Sequence, residues 1–463
     1  MRLDLPLISG IVAGAMMGCT PPSTGTSGTE ITEGSDASSI DTGAGGTRDT
    51  GTATGNLDST AAVDTTQGAA STESFPDVPP PVVFDVGGQT DGNNPGCGGG
   101  GNDNLSFSYI WIANSGQGTL SKIDTQTLVE EGRYLVSPAG TGLPSRTSVN
   151  LSGDVAVANR TGGITKVYAE TEDCVDSNGV PGLQTSTGAG DILPWGMEEC
   201  IAWHTPMVYG SQRPIAWTQG TYDPGTCTWF DQQVWTTGTT GGGSADVMLL
   251  NGEDGSIDAI VNVPGLAPFN SFGGYGAVVD SEGNLWFNEM YLFGDLLIRV
   301  NISDMSYELV PTSGRSGYGI AIDTMERIWT CGGGAVNRYD PLANLWVSAA
   351  LPQLTFGGCM VDGEGRLWVS GSNSFPNSVR AFDTETVTEV ENFSVPEHLH
   401  GISIDFEGNV WGVGGEPGVG AGENAYRIDP VNGTFDVVTG LVDAYTYSDM
   451  TGFALVGTTP PPM

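Results

Sequence analysis

The sequence predicts an all-β fold: a β-propeller of about seven four-stranded antiparallel blades, preceded by a disordered linker. A tryptophan-bearing phrase recurs about every forty residues, with steps of 43, 39 and 43 between Trp286, Trp329, Trp368 and Trp411. That period is typical of a propeller blade. The 463 residues include 71 glycines and only 15% charged residues, a composition that favours turn-rich β-structure over helices.

The repeated phrase has the pattern of a β-hairpin. In Gly358-Cys-Met-Val-Asp362-Gly-Glu-Gly365-Arg-Leu-Trp368, an apolar strand leads into an Asp-x-x-Gly turn and a second strand carries the tryptophan. Such a turn suits a hairpin of a few loop residues. In another copy Glu326 replaces the turn glycine. We count one second strand per blade, at Trp111, Ala156, Trp235, Trp286, Trp329, Trp368 and Trp411.

A basic residue recurs on the predicted third strand of six blades, at Lys122, Lys166, Arg299, Arg338, Arg380 and Arg427. We expect these side chains to pair with acids or carbonyl groups at the blade edge. An open ring would expose two sheet edges. We therefore predict that the terminal segment Thr451 to Val456 is a strand that completes the blade of Trp111.

The N-terminus predicts export. Residues 1–18 combine Arg2 with an apolar stretch that is too short to span a membrane, which is typical of a signal peptide. The ending Met16-Met17-Gly18-Cys19 resembles a bacterial lipobox, which implies lipidation of Cys19; an ordinary signal peptide with an incidental cysteine is the alternative. Thr20 after the cysteine is similar to the outer-membrane sorting pattern, so we expect a lipid-anchored protein of the cell envelope, at the outer membrane or the cell surface.

The composition of the rest of the chain predicts how it is divided into segments. Residues 19–106 are rich in Ser, Thr, Gly, Asp and Pro and are predicted to form a disordered tether. The propeller is assigned to residues 107–457, with an insertion at about 171–212, and residues 458–463 form a tail. A net charge of −39 excludes nucleic acid as an expected partner, because it repels a polyanion.

Six cysteines remain after Cys19, an even set that in an exported chain suggests disulfides. We predict Cys174 with Cys200 and Cys331 with Cys359. Cys97 with Cys227 follows by elimination only. A zinc site is not expected, because the chain has no Cys-x-x-Cys pair and only three histidines.

Two runs resemble the blade signature of the streptogramin (virginiamycin B) lyase group of propellers: Gly283-Asn-Leu-Trp-Phe-Asn-Glu289 and His400-Gly-Ile-Ser-Ile-Asp405. The Ile-Asp-x-x-Thr turns are similar to YVTN and NHL-type repeats. The resemblance covers about residues 107–457 and implies the fold. It also implies that a histidine and a glutamate of one blade, beside Mg²⁺, act as acid and base in an elimination.

The residues at those positions depart from the lyase pattern. His400 stands at the first position of its blade, but Gly414 stands where the glutamate is expected, and Glu289 belongs to a different blade. His398, His400 and Glu289 are therefore weak catalytic candidates. We expect both histidines at a funnel mouth, as a structural pair or as part of a site.

The insertion contains a candidate calcium loop with Asp173, Asp176 and Asn178. The alternative is an Asx-rich turn closed by the Cys174–Cys200 disulfide, which we favour because Cys174 and Thr185 break the EF-hand pattern. The sequence as a whole favours a binding or interaction module for an unknown protein, peptide or glycan at the propeller face. A lyase of the streptogramin B type, or another metal-dependent propeller enzyme, is the alternative.

Overall fold

The computed structural model describes residues 108–459, except 139, 141, 227, 270–271, 291, 293, 355, 371–376 and 416–421. Cys19, the tether, Cys97 and Cys227 lie outside the described residues. Within this part of the chain the fold is a seven-bladed β-propeller, as predicted. None of its helices is long and apolar enough to span a membrane.

Antiparallel strands build the blades in chain order. Blade 1 contains β1 (Tyr109–Asn114), β2 (Thr119–Asp124) and β3 (Glu130–Leu135), and blade 2 contains β4 (Pro144–Val149), β5 (Val155–Asn159), β6 (Gly163–Val167) and β7 (Ile201–Thr205). Blade 3 contains β8 (Ser211–Trp217), β11 (Gln233–Thr239), β12 (Ser244–Asn251) and β13 (Ile257–Pro264), with a small hairpin of β9 (Thr221–Asp223) and β10 (Thr228–Phe230). Blade 4 contains β14 (Gly276–Val279), β15 (Leu285–Asn288), β16 (Leu296–Val300) and β17 (Tyr307–Pro311).

The last three blades have the same order. Blade 5 contains β18 (Gly319–Ile322), β19 (Ile328–Gly332), β20 (Ala335–Asp340) and β21 (Leu345–Ala350), and blade 6 contains β22 (Cys359–Val361), β23 (Arg366–Ser370), β24 (Ser378–Asp383) and β25 (Glu389–Ser394). Blade 7 contains β26 (Leu399–Ile404), β27 (Val410–Gly414), β28 (Gly422–Ile428) and β29 (Phe435–Ala444), and the short helix α1 (Phe453–Thr458) follows.

The apolar core lies between the blades rather than within any one of them. A buried apolar cluster fills each of the seven interfaces between neighbouring blades, including the interface of blade 7 with blade 1. The predicted second-strand residues lie on β1, β5, β11, β15, β19, β23 and β27. Burial against both neighbours explains why the inner strands are apolar on both faces.

Ring closure differs from the prediction. Residues 453–458 form α1 instead of a strand, and the segment 445–450 takes the innermost position of blade 1. The Tyr445 N–H donates to Ala113 O at 3.0 Å, and the Trp111 N–H donates to Met450 O at 2.9 Å. Both distances are usual for N–H···O hydrogen bonds. The prediction that the two chain ends meet in the blade of Trp111 is correct, but the segment that closes the ring lies a few residues earlier.

The tryptophan of each strong repeat is held by the aspartate of its own turn. Its indole Nε1–H donates to a carboxylate six residues earlier, at 2.7 to 3.1 Å, in the pairs Trp286–Asp280, Trp329–Asp323, Trp368–Asp362 and Trp411–Asp405. The other carboxylate oxygen accepts backbone N–H groups of the turn. The spacing of the repeat therefore reflects one buried hydrogen-bonded unit.

The recurring third-strand cations pair with acids or carbonyl groups, as the sequence predicted, and some of them thereby connect neighbouring blades. Lys122 of blade 1 donates to Ala169 O of blade 2 at 2.5 Å, and Arg427 of blade 7 donates to Thr125 O of blade 1 at 2.7 Å. Others pair with acids of their own blade, such as Arg380 with Glu389 at 3.0 Å. These contacts join blade edges that would otherwise present unpaired carbonyl groups.

Blade 7 lacks the arginine that accompanies the turn aspartate in blades 5 and 6. Arg327 pairs with Asp323 at 2.8 Å and Arg366 pairs with Asp362 at 2.7 Å, whereas Asn409 occupies the equivalent position beside Asp405. Burial raises the pKa of Asp405 to about 6. The contribution of Asp405 to stability is therefore full below the ordinary carboxyl pKa of 3.8 and is lost as the pH rises through about 6.

Asn409→Arg tests this difference between the blades. The new guanidinium should stabilise the ionised Asp405, so we expect the free energy of unfolding to rise by about 1 kcal/mol near pH 8 and to change little near pH 4. Urea unfolding at the two pH values measures the effect. Arg366→Asn in blade 6 is the converse control: it removes the pairing with Asp362 and should lower the free energy of unfolding near pH 8. An equal gain from Asn409→Arg at both pH values would contradict the proposed pairing with Asp405.

Candidate functional site at the channel mouth

The innermost strands of the blades surround a central channel. Its wall includes Ser148, Ile215, Val278, Ile320 and Met360, from five different blades. At one end α1 lies across the channel, with Leu455 buried in its wall. The opposite end, where the inner strands begin, is called the mouth here.

Four tyrosines, called the tyrosine cluster, pack together at the mouth: Tyr275, Tyr318, Tyr445 and Tyr447. Tyr275 and Tyr318 directly precede β14 and β18, whereas Tyr445 and Tyr447 belong to the closing segment. The rings of Tyr275 and Tyr318 lie 4.9 Å apart, and those of Tyr318 and Tyr447 lie 5.0 Å apart. The Tyr445 hydroxyl is hydrogen-bonded to those of Tyr275, at 3.2 Å, and Tyr318.

Three arginines, called the mouth arginines, surround this cluster: Arg146 of β4, Arg160 after β5 and Arg213 of β8. The guanidinium of Arg146 is completely buried, stacks over Tyr447 at 3.5 Å and donates to Tyr275 O at 2.9 Å. Arg160 lies over the Tyr445 ring at 4.3 Å. Such cation–π contacts stabilise a positive charge that has left water.

The mouth arginines change the acidity of one tyrosine. Burial opposes ionisation of Tyr445, but the charges of Arg213, Arg146 and Arg160 outweigh burial and lower the pKa of its phenol to about 8. Burial raises the pKa of Tyr275 and Tyr318 above the ordinary value. Tyr445 therefore ionises before Tyr275 and Tyr318.

The two histidines lie at the mouth, as predicted. His400 is part of β26 rather than of the preceding loop, and its Nε2 lies 3.3 Å from the Tyr318 hydroxyl. Burial, followed by the charge effects of His398, Arg146 and Arg160, lowers the pKa of His400 well below its ordinary value. The imidazole is therefore neutral at physiological pH and serves as a packed, hydrogen-bonding side chain of the cluster.

Glu289 is not paired with His400 by any hydrogen bond found among the described residues. It follows β15 in blade 4, whereas His400 belongs to blade 7. Its carboxylate accepts the Ala267 N–H at 2.7 Å and the Asp295 N–H at 3.1 Å. These bonds hold the loops around blade 4, a structural role that the sequence did not predict.

The insertion is organised by carboxylates that accept backbone N–H groups. Glu199 accepts the N–H groups of Ser177, Asn178 and Gln184 at 2.6 to 2.8 Å. Asp176 accepts the Gly182 N–H at 3.2 Å. Within the described residues, no group of three or more His, Cys, Asp or Glu side chains is arranged to hold a metal. Asn178 Oδ1 also accepts the Val180 N–H at 2.8 Å, so Asp176 and Asn178 form part of an Asx-rich turn. Calcium binding by Asp173, Asp176 and Asn178 stays a prediction.

Two of the predicted disulfides are confirmed. Cys174 is bonded to Cys200 and closes the insertion. Cys331 is bonded to Cys359 and links blades 5 and 6 beside the mouth. The pairing of Cys97 with Cys227 lies outside the described residues and stays a prediction.

The sequence contained a signal for the tyrosine cluster that we did not use. The residue directly before the glycine that opens the repeated phrase is Tyr275, Tyr318 or His400 in three of the four strong copies. In the remaining copy this residue is Gly357, and the ring of the preceding Phe356 packs on Tyr318 at 5.2 Å. No comparable signal marked the mouth arginines, because they belong to weaker copies of the repeat.

The sequence matches no family model and no curated protein. Solved structures that are similar include a protein from Lactobacillus plantarum, with a TM-score of 0.48 and 13% identity over 73% of this chain and 98% of that one. Virginiamycin B lyase from Staphylococcus aureus gives a TM-score of 0.41 and 16% identity over 64% of this chain and 83% of that one. The WD40 repeats of RRP9 give a TM-score of 0.48 and 10% identity over 72% of this chain and 91% of that one. All three TM-scores lie below 0.5 and all three identities lie below 25%, so the fold assignment rests on the strand order described above.

Titration of the tyrosines tests the electrostatics of the mouth. We expect one tyrosine to ionise at about pH 8, because the mouth arginines stabilise the Tyr445 phenolate. The near-ultraviolet absorbance of phenolate, followed against pH, should show this step in the wild type and lose it in Tyr445→Phe. Tyr307→Phe, on the outer strand β17, is the control and should keep it. A titration without any step below about pH 9 would contradict the lowered pKa.

Proposed function

We propose that the protein is a lipid-anchored binding or interaction module of the cell envelope, and that its propeller holds a ligand at the channel mouth. The observation that carries this proposal is convergence: every blade contributes a large side chain to the mouth. In blade order these side chains are Tyr445 with Tyr447, Arg146, Arg213, Tyr275, Tyr318, Phe356 and His400. A concave site lined by aromatic rings with a few polar groups is the usual form of a ligand site.

Catalysis of the streptogramin lyase type is less well supported. General acid and base groups must both reach one substrate. His400 belongs to blade 7, where its Nε2 lies beside the Tyr318 hydroxyl. Glu289 belongs to blade 4, where its carboxylate accepts the N–H groups of Ala267 and Asp295. No observation in the described residues favours the lyase over a binding role.

The anchor is tested by Cys19→Ala. If Cys19 is acylated, the wild type should incorporate labelled palmitate and sediment with membranes, and the variant should lose both properties because acyl chains provide the membrane affinity. Cys97→Ala is a matched control that should keep both. A variant that still sediments with label incorporated would refute lipidation at Cys19.

Binding at the mouth is tested by Phe272→Ala. Phe272 packs edge-on against Tyr275 at 5.4 Å, so its removal takes away aromatic surface without changing charge. An array of acidic and neutral oligosaccharides and short peptides supplies the probes. For each probe that the wild-type protein binds, we expect the affinity of Phe272→Ala to be about tenfold lower. Phe269→Ala is the control, because Phe269 is 88% exposed in the same connection. Unchanged affinity in Phe272→Ala would place the ligand elsewhere.

A further inference from the structure

The mouth arginines differ from most of the other basic residues of the propeller. Eight described basic residues form ion pairs with Asp or Glu. Arg146, Arg160 and Arg213 form none with a described carboxylate. The chain has 54 acidic residues against 15 basic ones, yet no acid of the described residues forms an ion pair with these three side chains.

Each mouth arginine also keeps a buried nitrogen without a hydrogen-bond partner. These atoms are Nη2 of Arg146 and the Nε atoms of Arg160 and Arg213. A buried polar atom of this kind destabilises the fold when it has no partner, and more so when the group is charged. Three such atoms around one tyrosine cluster indicate that something outside the chain completes the hydrogen bonding.

The protein's own groups compensate only partly. The Arg146 guanidinium stacks on Tyr447 and donates one hydrogen bond to a backbone carbonyl, and Arg160 donates to the Ser115 hydroxyl at 3.2 Å. The Tyr445 hydroxyl is mostly protonated at neutral pH, because its pKa is about 8. The mouth is thus a positive region in a protein of net charge −39.

We propose that the mouth binds a small oxyanion, a carboxylate or phosphate group of the ligand, through the three mouth arginines. This inference rests on the proposed function, since it assumes that the mouth is the ligand site. Guanidinium groups match the geometry of both oxyanions and bind them with charge-assisted hydrogen bonds. The aromatic rings of Phe272 and the tyrosine cluster supply apolar walls for the body that carries the anion.

The charge of the rest of the molecule restricts the size of this ligand. A long polyanion would be repelled by the acidic surface around the ring, and three arginines cannot offset many charges. A ligand with one or two anionic groups on a compact, flat body fits both the local positive charge and the overall negative charge.

Calorimetric titration of the full chain tests the proposal with three probes: benzoate, inorganic phosphate and benzyl alcohol. We expect benzoate or phosphate to bind, and benzyl alcohol, the neutral analogue, to bind at least about tenfold more weakly. The first two probes distinguish a carboxylate from a phosphate as the preferred anion. If neither anion binds better than benzyl alcohol, the proposal is wrong.

Arg213→Gln should weaken binding of the preferred anion about tenfold, because it removes one guanidinium that is not fully buried. Arg380→Gln is the matched control: it makes the same charge change on the third strand of blade 6, beside Glu389, and should leave binding unchanged. Thermal unfolding confirms that the variants fold, and Arg160→Gln replaces Arg213→Gln if the latter does not. Equal affinity in Arg213→Gln and the wild type overturns the proposal.

The outcome also separates this inference from the proposed function. If Phe272→Ala weakens capture of array probes while Arg213→Gln does not, the mouth is a ligand site but does not recognise an anion. If neither variant changes binding, the ligand lies elsewhere and both proposals fail.

Discussion

Closure of the ring by the segment 445–450 is the constraint on which the rest of this structure depends. The segment supplies the innermost position of blade 1 through backbone bonds to β1. It also packs against blade 7, where the Thr446 carbonyl lies so close to Gly401 that no side chain fits at that glycine. Met450 of this segment belongs to the apolar cluster between blades 7 and 1, so that interface fills completely only when the segment is in place.

The same segment supplies Tyr445 and Tyr447 to the mouth, so the fold and the candidate site share residues. Arg146 is buried because Tyr447 covers it, and Tyr445 meets both Tyr275 and Tyr318. A change that loosens the ring would thus also disturb the charged groups at the mouth. The stability of the ring and the geometry of the mouth are therefore coupled in this propeller.

Much of the fold was predictable because each blade repeats one hydrogen-bonded unit. A Trp at a fixed distance from a turn Asp, as in Asp362 and Trp368, requires the hairpin that buries both. The end of the chain was predicted wrongly because Phe453 to Val456 is apolar and suits a strand equally well. Gly452, at a φ of 87°, turns the chain, and Asp449 accepts the N–H groups of Thr451 and Gly452, so a helical turn follows.

The candidate site was predicted less well, since its parts are far apart in sequence. The histidines were candidates because the chain has only three of them, whereas no sequence pattern marked the mouth arginines. Only the ring brings Arg146 of blade 2 over Tyr275 of blade 4 and Tyr447 of blade 1. Long-range contacts of this kind leave no local pattern in the chain.

The helix α1 joins blades that are not adjacent in the ring. Leu455 and Val456 pack into the interface between blades 2 and 3, whereas Phe453 packs on Phe406 of blade 7 at 6.0 Å between ring centroids. One short segment late in the chain therefore holds blades from both halves of the chain, and its removal would expose apolar surface on each side of the ring.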